Sequence, residues 1–138
     1  MASKIVVKAL DHIVLTVRCV PTTVAFYEKM LGMKHEVFTS SKDRDVERHA
    51  LVFGSQKINL HQAGREFEPK AQNVQPGSGD LCFLTDTPVD EVLKAFREQK
   101  MEILEGGSVV ERTGAVGRLK SVYVRDPDGN LVEVSNYE

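Results

Sequence analysis

Four ionisable side chains of this 138-residue sequence lie beside runs of strand-forming apolar residues, and their types suit metal chemistry. They are His12, His61, Asp80 and Glu133. Glu133 stands inside the run Leu131–Val134, where an unpaired buried carboxylate is costly and needs a cation, a proton or a turned-out position. Imidazole nitrogen and carboxylate oxygen together bind borderline divalent cations such as Zn(II), Ni(II), Mn(II) or Fe(II). The four residues therefore indicate a divalent metal site, with a structural role for each histidine as the alternative.

The elements that would position these residues occur twice along the chain. Alternating β-branched and apolar residues predict strands, and apolar residues at helical spacing predict helices. Pro21 and Pro88 stand 67 positions apart at the start of two predicted helices, and His12 and Asp80 stand 68 apart. A half of about 60 residues cannot bury a sheet face alone, so the halves must pack together or pair their sheets. The predicted order is strand 11–17, helix 22–32 and strands 33–39, 47–53 and 57–62, then strand 80–85, helix 88–100 and strands 101–104, 119–125 and 130–135.

The repeat matches the four candidates in two pairs at equivalent strand ends. His12 is matched with Asp80, and His61 is matched with Glu133. Side chains on a strand alternate between faces, so each candidate is expected on a defined side of its sheet. If a pseudo-two-fold axis relates the halves, the four side chains converge on one point.

Composition excludes several classes of function. Lysine plus arginine number 18 and aspartate plus glutamate number 20, so the formal charge of −2 gives no electrostatic footprint for nucleic acid or an anionic membrane. No apolar run approaches the length of a membrane span. The two cysteines, Cys19 and Cys82, form no C-x-x-C pair, which favours a reducing, cytoplasmic compartment. No nucleophile elbow or phosphate-binding glycine loop is present, which sets aside serine hydrolases and nucleotide enzymes.

Three longer motifs carry a resemblance to a known family, and two shorter ones extend it. The sequence resembles the vicinal oxygen chelate superfamily, which includes glyoxalase I, extradiol dioxygenases, fosfomycin resistance transferases and bleomycin-binding proteins. Within it, the chain looks most like the small glyoxalase-domain-containing proteins. The motifs are 10–17 (LDHIVLTV), 25–33 (AFYEKMLGM) and 123–133 (YVRDPDGNLVE), with 58–64 (INLHQAG) and 68–71 (EPKA).

The resemblance implies an α+β fold. Two tandem βαβββ modules would form an eight-stranded U-shaped sheet around a metal site. The corresponding boundaries are a single domain over 8–137, made of modules 8–62 and 79–137 joined by the linker 63–78.

The resemblance also implies a ligand set. His12, His61, Asp80 and Glu133 would occupy the four positions that bind the metal in glyoxalase I. In the transferases and dioxygenases only three positions bind it, and these match His12, Asp80 and Glu133. Glu133 or Asp80 would in addition move a proton as the catalytic base.

Four further residues are candidates for binding substrate. Ser121 and Tyr123 share a face of their strand, and the matched positions in fosfomycin transferases touch substrate. Arg112 begins the glycine-bounded segment 112–117, which is expected to be a mobile lid with a cationic tip or a plain solvated loop. Lys57, on the His61 face, would neutralise an anionic substrate or simply reach water.

The sequence leaves three functions open. The first is a metal-dependent glyoxalase-type lyase or isomerase that acts on a small oxygenated substrate by metal chelation and proton transfer. The second is an Fe(II) extradiol dioxygenase of catechols, and the third is a metal-free binding protein of the bleomycin-resistance type. Fold analogy adds a homodimer as the expected assembly.

Overall fold

The computed structural model describes Met1 and residues 3–138, and it divides the chain into two compact units. The first unit is Met1–Lys70 and the second is Ala71–Glu138. Each unit contains one four-stranded sheet and one longer α-helix. Within the described residues, no helix combines the length and the apolar character that a membrane span requires.

The first unit is a mixed sheet with its helix on one face. The strand order is β1-β4-β3-β2; β1 runs parallel to β4, and the other pairs are antiparallel. The helix has a proline in its first turn, where the missing N–H is harmless, and it ends at Gly32 in the left-handed region with φ of 64°. The elements are β1 (His12–Val17), α1 (Val20–Leu31), β2 (Lys34–Ser40), β3 (Asp43–Phe53) and β4 (Gln56–Gln62).

The second unit repeats this arrangement. Its strand order is β5-β8-β7-β6, with β5 parallel to β8. The helix buries Val89, Val92 and Phe96, and alternate valines of β7 and β8 are also fully or nearly fully buried. The elements are β5 (Asp80–Leu84), α2 (Val89–Glu98), β6 (Val110–Thr113), β7 (Arg118–Arg125) and β8 (Leu131–Tyr137), with a short 3₁₀ turn at Glu105–Gly107.

A hydrogen-bonded turn between β7 and β8 fixes the start of β5. Asp126 Oδ1 accepts from the backbone N–H groups of Asp128 and Asn130 at 2.9 and 3.0 Å. The Asn130 side chain donates to Asp126 Oδ2 at 2.8 Å and accepts from the Gly79 N–H at 2.7 Å. This turn therefore ties the residue before Asp80 to the residue before β8, and it sets the register of the two strands that carry Asp80 and Glu133.

The α+β class and the two βαβββ modules are confirmed, and the eight strands form two hydrogen-bonded sheets of four. One predicted strand is wrong: residues 101–104 form no strand, and β6 lies instead at Val110–Thr113, where no strand was predicted. Lys100 and Glu105 have positive φ values of 57° and 55°, so the chain turns at both ends of 101–104. The segment between the two turns therefore has no room to form a ladder with another strand. Arg112 is consequently a strand residue rather than the tip of a lid.

Candidate active site

The second unit collects polar side chains on one face of its sheet. Register places Cys82 and Tyr123 on either side of Glu133, and Ser121 opposite Ser135 in the next row. Because side chains alternate between faces, these five share one side of the sheet, and the valines between them face the other. The sheet therefore presents a polar surface opposite its apolar core.

Glu133 is held in place by two buried serines. Ser121 Oγ donates to Glu133 Oε2 at 2.6 Å, and Ser135 Oγ lies 3.3 Å from the same oxygen. The two hydroxyl oxygens are 2.7 Å apart, and both serines have no solvent exposure. Among the described residues, no Lys, Arg or His forms an ion pair with Glu133, which is itself half-buried. The carboxylate is thus fixed in position and forms no ion pair with a described residue, although the Arg112 charge acts on it from a greater distance.

Tyr123 and Arg112 extend this network towards the edge of the sheet. Arg112 Nε donates to Tyr123 Oη at 3.1 Å, and a terminal nitrogen of Arg112 forms an ion pair with Glu105 at the same distance. Burial and the neighbouring Glu133 raise the pKa of Tyr123, and the Arg112 guanidinium opposes them. The hydrogen bond to Tyr123 and nearby acidic charges raise the pKa of Arg112. Tyr123 is therefore a neutral phenol at physiological pH, and Arg112 is a fixed cation.

These side chains line a cavity of about 370 Å³ within the second unit. Its lining includes Cys82, Arg112, Tyr123 and Glu133, together with the apolar Leu119. Burial raises the pKa of the Cys82 thiol, so this group stays protonated near neutral pH and is a poor nucleophile there. The volume suits a small molecule, and the polar groups would fix its orientation.

Asp80 lies at the exposed first position of β5, opposite Leu131. It therefore shares the face of Cys82 and Glu133, two positions along the strand from Cys82. The structure thus brings both predicted carboxylates to one face of one sheet.

The first unit carries the remaining predicted residues on a single face, but at different positions along its strands. Register places His12 opposite Lys57, and His61 opposite Thr16. His12 is exposed, and its Nδ1 lies 2.8 Å from Asp11 Oδ2. The Lys57 ammonium lies 4.1 Å from the centre of the Phe38 ring.

The two histidines of the first unit are four positions apart in this register, about 13 Å at about 3.3 Å per residue. Parallel side chains at that separation do not meet at one ion. Both ligand sets remain predictions, because His12 and His61 lie in the first unit and Asp80 and Glu133 lie in the second. His61 has a buried ring whose Nδ1 lacks a hydrogen-bond partner, and burial and the Arg48 charge lower its pKa.

The registers also correct the match between His61 and Glu133. Glu133 pairs with Cys82, which lies two positions after Asp80. In the first unit, Val14 lies two positions after His12, and it pairs with Asn59. Asn59 is therefore the counterpart of Glu133, and its Oδ1 is buried without a hydrogen-bond partner. Sequence reasoning missed Asn59 because the offset between the halves is not constant: it is 80 − 12 = 68 for His12 and Asp80 and 133 − 59 = 74 for Asn59 and Glu133.

A complete ligand set does not occur within the described chain as it stands. Over Met1 and 3–138, no three His, Cys, Asp or Glu side chains lie close enough together to hold a metal ion. Glu133 fits a ligand position, because it is a fixed carboxylate that forms no ion pair with a described residue.

Comparisons with known proteins agree on a family. The model of the Glyoxalase/Bleomycin resistance protein/Dioxygenase superfamily matches residues 9–134. Virulence protein STM3117 of Salmonella typhimurium is 48% identical over 97% of this chain and 88% of its own length. Glyoxalase domain-containing protein RDO1 of Mycosarcoma maydis is also 48% identical, over 96% of this chain and 70% of its own length.

Solved structures show the same fold. A structure from the mobile metagenome of V. Pseudocholerae, VPC_CASS1, has a TM-score of 0.88 and 54% identity, and the match covers 97% of this chain and 98% of that one. A variant of the fosfomycin resistance protein FosX from Listeria monocytogenes, complexed with Mn(II) and 1S,2S-dihydroxypropylphosphonic acid, shares the fold alone. It has 21% identity and a TM-score of 0.62, and the match covers 96% of this chain and 95% of that one. The chain belongs to the glyoxalase/bleomycin resistance protein/dioxygenase superfamily, as its sequence motifs predict.

Proposed function

We propose that this protein is a metal-dependent enzyme of the glyoxalase type, a lyase or isomerase that moves a proton on a small oxygenated substrate. One observation carries the proposal: the half-buried Glu133 carboxylate is fixed by Ser121 at 2.6 Å beside a cavity of molecular size, and no described protein cation pairs with it. A carboxylate in that position needs a cation or a proton. Membership of a superfamily with a Mn(II)-binding member supports a metal ion as that cation.

The proposed ligands are Glu133, Asp80 and His12. The hydrogen bond between His12 Nδ1 and Asp11 supports this assignment, because a carboxylate on one ring nitrogen fixes the tautomer that leaves the other available to a metal. When bound, a divalent cation supplies Lewis acidity that polarises adjacent substrate oxygens and eases loss of a proton from the neighbouring carbon.

Residues of the second unit would transfer the proton and bind the substrate. Glu133 Oε takes the proton from the substrate carbon that bears the hydroxyl group and returns it to the former carbonyl carbon. The hydroxyl proton passes to the former carbonyl oxygen, so the isomerisation is balanced without another reactant. Ser121 holds this carboxylate in one orientation. Tyr123, kept neutral by burial, has an O–H group to offer a substrate oxygen, and Arg112 positions it. Arg112 also gives the cavity a positive charge that favours anionic or electron-rich substrates.

Solvent exchange tests this proposal. Protein loaded with Mn(II), Ni(II) or Zn(II) is mixed in D₂O with dihydroxyacetone, a small α-hydroxy ketone, and loss of the C–H signal is followed by proton NMR. We expect metal-dependent exchange, and a loss of at least about 100-fold in Glu133→Gln, because general-base catalysis contributes on that order. Glu102→Gln, which changes an exposed acid outside the cavity, is the matched control. No exchange with any metal, or equal rates in the two variants, would refute the proposal for this substrate class.

The two other functions of the superfamily make different predictions. An Fe(II) extradiol dioxygenase would consume oxygen with catechols after anaerobic iron loading. A metal-free binding protein would bind its ligand equally well in the presence of a chelator. Either result, with no proton exchange, would replace the lyase or isomerase assignment.

We also infer a homodimer. Among the described residues, the apolar side chains of Ile5, Val6, Val7 and Leu10 are largely exposed, and a second copy of the chain would cover them. Light scattering coupled to size exclusion should give twice the 15.4 kDa chain mass. A monomeric mass at micromolar concentration would contradict this inference.

A further inference from the structure

Three polar atoms without hydrogen-bond partners lie on one face of the first unit. They are Arg48 Nε, Asn59 Oδ1 and His61 Nδ1, each buried. Asn59 pairs with Ala50 in the register of β3 and β4, and continuing that register places Arg48 beside His61. Buried polar atoms of folded proteins are normally paired, and each unpaired one costs about 1–3 kcal/mol. Three such atoms on one face therefore need a common explanation.

An aromatic ring covers part of this face. The Arg48 guanidinium carbon lies 3.9 Å from the centre of the Phe67 ring, and the His61 ring meets the same ring edge-on at 5.3 Å. The segment around Phe67 is braced by the Glu66–Lys70 ion pair at 3.5 Å. Phe67 thus shields the face from water on one side without supplying a hydrogen bond.

The charges of this face favour an anion. Within the described chain, no carboxylate forms an ion pair with Arg48. Lys57 adds a second positive charge on the same face, and the acids of the covering segment, Glu66 and Glu68, both pair with Lys70. Arg48 is half-buried with a buried Nε–H, and a guanidinium that forms no ion pair is a ready donor to an oxyanion.

We propose that the face formed by Arg48, Asn59 and His61 binds a small hydroxy-carboxylate. Arg48 Nε–H donates to an oxygen of the anion, and Asn59 Oδ1 accepts from the hydroxyl group. His61 borders the ligand, and Phe67 covers it. This site goes beyond the proposed function: it shares its sheet face with His12, but none of its four residues is a proposed metal ligand.

Three probes of matched size separate the two recognition elements. Glycolate has both the carboxylate and the hydroxyl group, acetate lacks the hydroxyl group, and ethylene glycol lacks the charge. Binding to the full-length protein is measured by isothermal titration calorimetry in a buffer with EDTA, so that no metal site contributes. We expect glycolate to bind more tightly than acetate, and ethylene glycol to show no binding.

Two arginine substitutions on the same strand test the assignment. Arg48→Met keeps the apolar stem over Phe67 and removes the donors, and we expect glycolate affinity to fall by about 10-fold or more. Arg44→Met, which removes an exposed arginine of β3, is the matched control and should leave affinity unchanged. Without glycolate, Arg48→Met should unfold at the same or a higher temperature than the wild type, because it removes an unsatisfied buried group.

Several results would overturn the proposal. They are no heat of binding with glycolate, equal affinity for acetate and glycolate, or equal losses in Arg48→Met and Arg44→Met. If Arg48→Met does not fold, Asn59→Leu takes its place. That variant should remove the preference for glycolate over acetate, and a retained preference counts against the site.

Discussion

The hydrogen bond from Ser121 to Glu133 is predicted to be a large stabilising contact of the second unit. Ser121→Ala removes a 2.6 Å bond between a fully buried hydroxyl and a carboxylate. Hydrogen bonds to charged groups contribute about 1.5–3 kcal/mol, and the short distance places this one in that class rather than in the neutral class of about 0.5–1.5 kcal/mol. The substitution also leaves the Ser135 hydroxyl without its 2.7 Å partner. We therefore expect the free energy of unfolding to fall by about 2 kcal/mol.

Urea unfolding followed by circular dichroism measures this loss, and a second background isolates the charge. In Glu133→Gln the acceptor is neutral, so adding Ser121→Ala should cost only about 1 kcal/mol. The difference of about 1 kcal/mol is the coupling between hydroxyl and charge. Ser108→Ala, at an exposed serine, is the control and should change stability by less than about 0.5 kcal/mol. A loss below 0.5 kcal/mol for Ser121→Ala, or the same loss in both backgrounds, would refute the reasoning.

Two further predictions concern pH and the backbone. Burial and Arg48 lower the pKa of His61 below 6.5, so the unfolded state takes up this proton at a higher pH than the folded state does. The free energy of unfolding should therefore fall as the pH drops through 6.5. Urea unfolding at several pH values should show a smaller slope of this free energy against pH in His61→Gln. An unchanged slope in that variant would assign the effect to other groups. Gly77→Ala should lower the free energy of unfolding by about 1–3 kcal/mol, because φ of Gly77 is 81° and a Cβ would lie 2.5 Å from the backbone oxygen of Asp128. Gly117→Ala, where a Cβ meets only ordinary contacts, is the control, and equal melting temperatures for the two variants would contradict the prediction.

The repeat made most of the fold predictable from the sequence. Strands such as β1 and β8 have strong β-branched alternation, and Gly32 marked the end of α1. The strand β6 was missed because it has four residues, two of them charged, within a glycine-rich stretch. Its place is decided by pairing with β7, a long-range contact that no local pattern reports.

The parts of the candidate site that could be predicted are those that depend on one strand only, because the alternation along that strand decides which face of the sheet a side chain lies on. Glu133 was identified because a carboxylate within an apolar strand is unusual and needs a partner. Ser121 as the partner of Glu133 required the register of two strands, which the turn at Asp126–Asn130 sets. Asn59 was missed because the second half has a longer chain between its first and third strands, which changed the offset between the two halves.

Equilibrium metal binding is the sharpest test of the proposal that Glu133 is a ligand of a divalent cation. Metal-free wild-type protein, Glu133→Gln and the control Glu102→Gln are titrated with Mn(II), and the unbound ion is followed by electron paramagnetic resonance. We expect one ion to bind per chain in the wild type and in Glu102→Gln. In Glu133→Gln we expect an affinity at least about 10-fold weaker, because a carboxylate ligand is lost. Absence of stoichiometric binding in the wild type, or identical affinity in Glu133→Gln, would contradict the proposal.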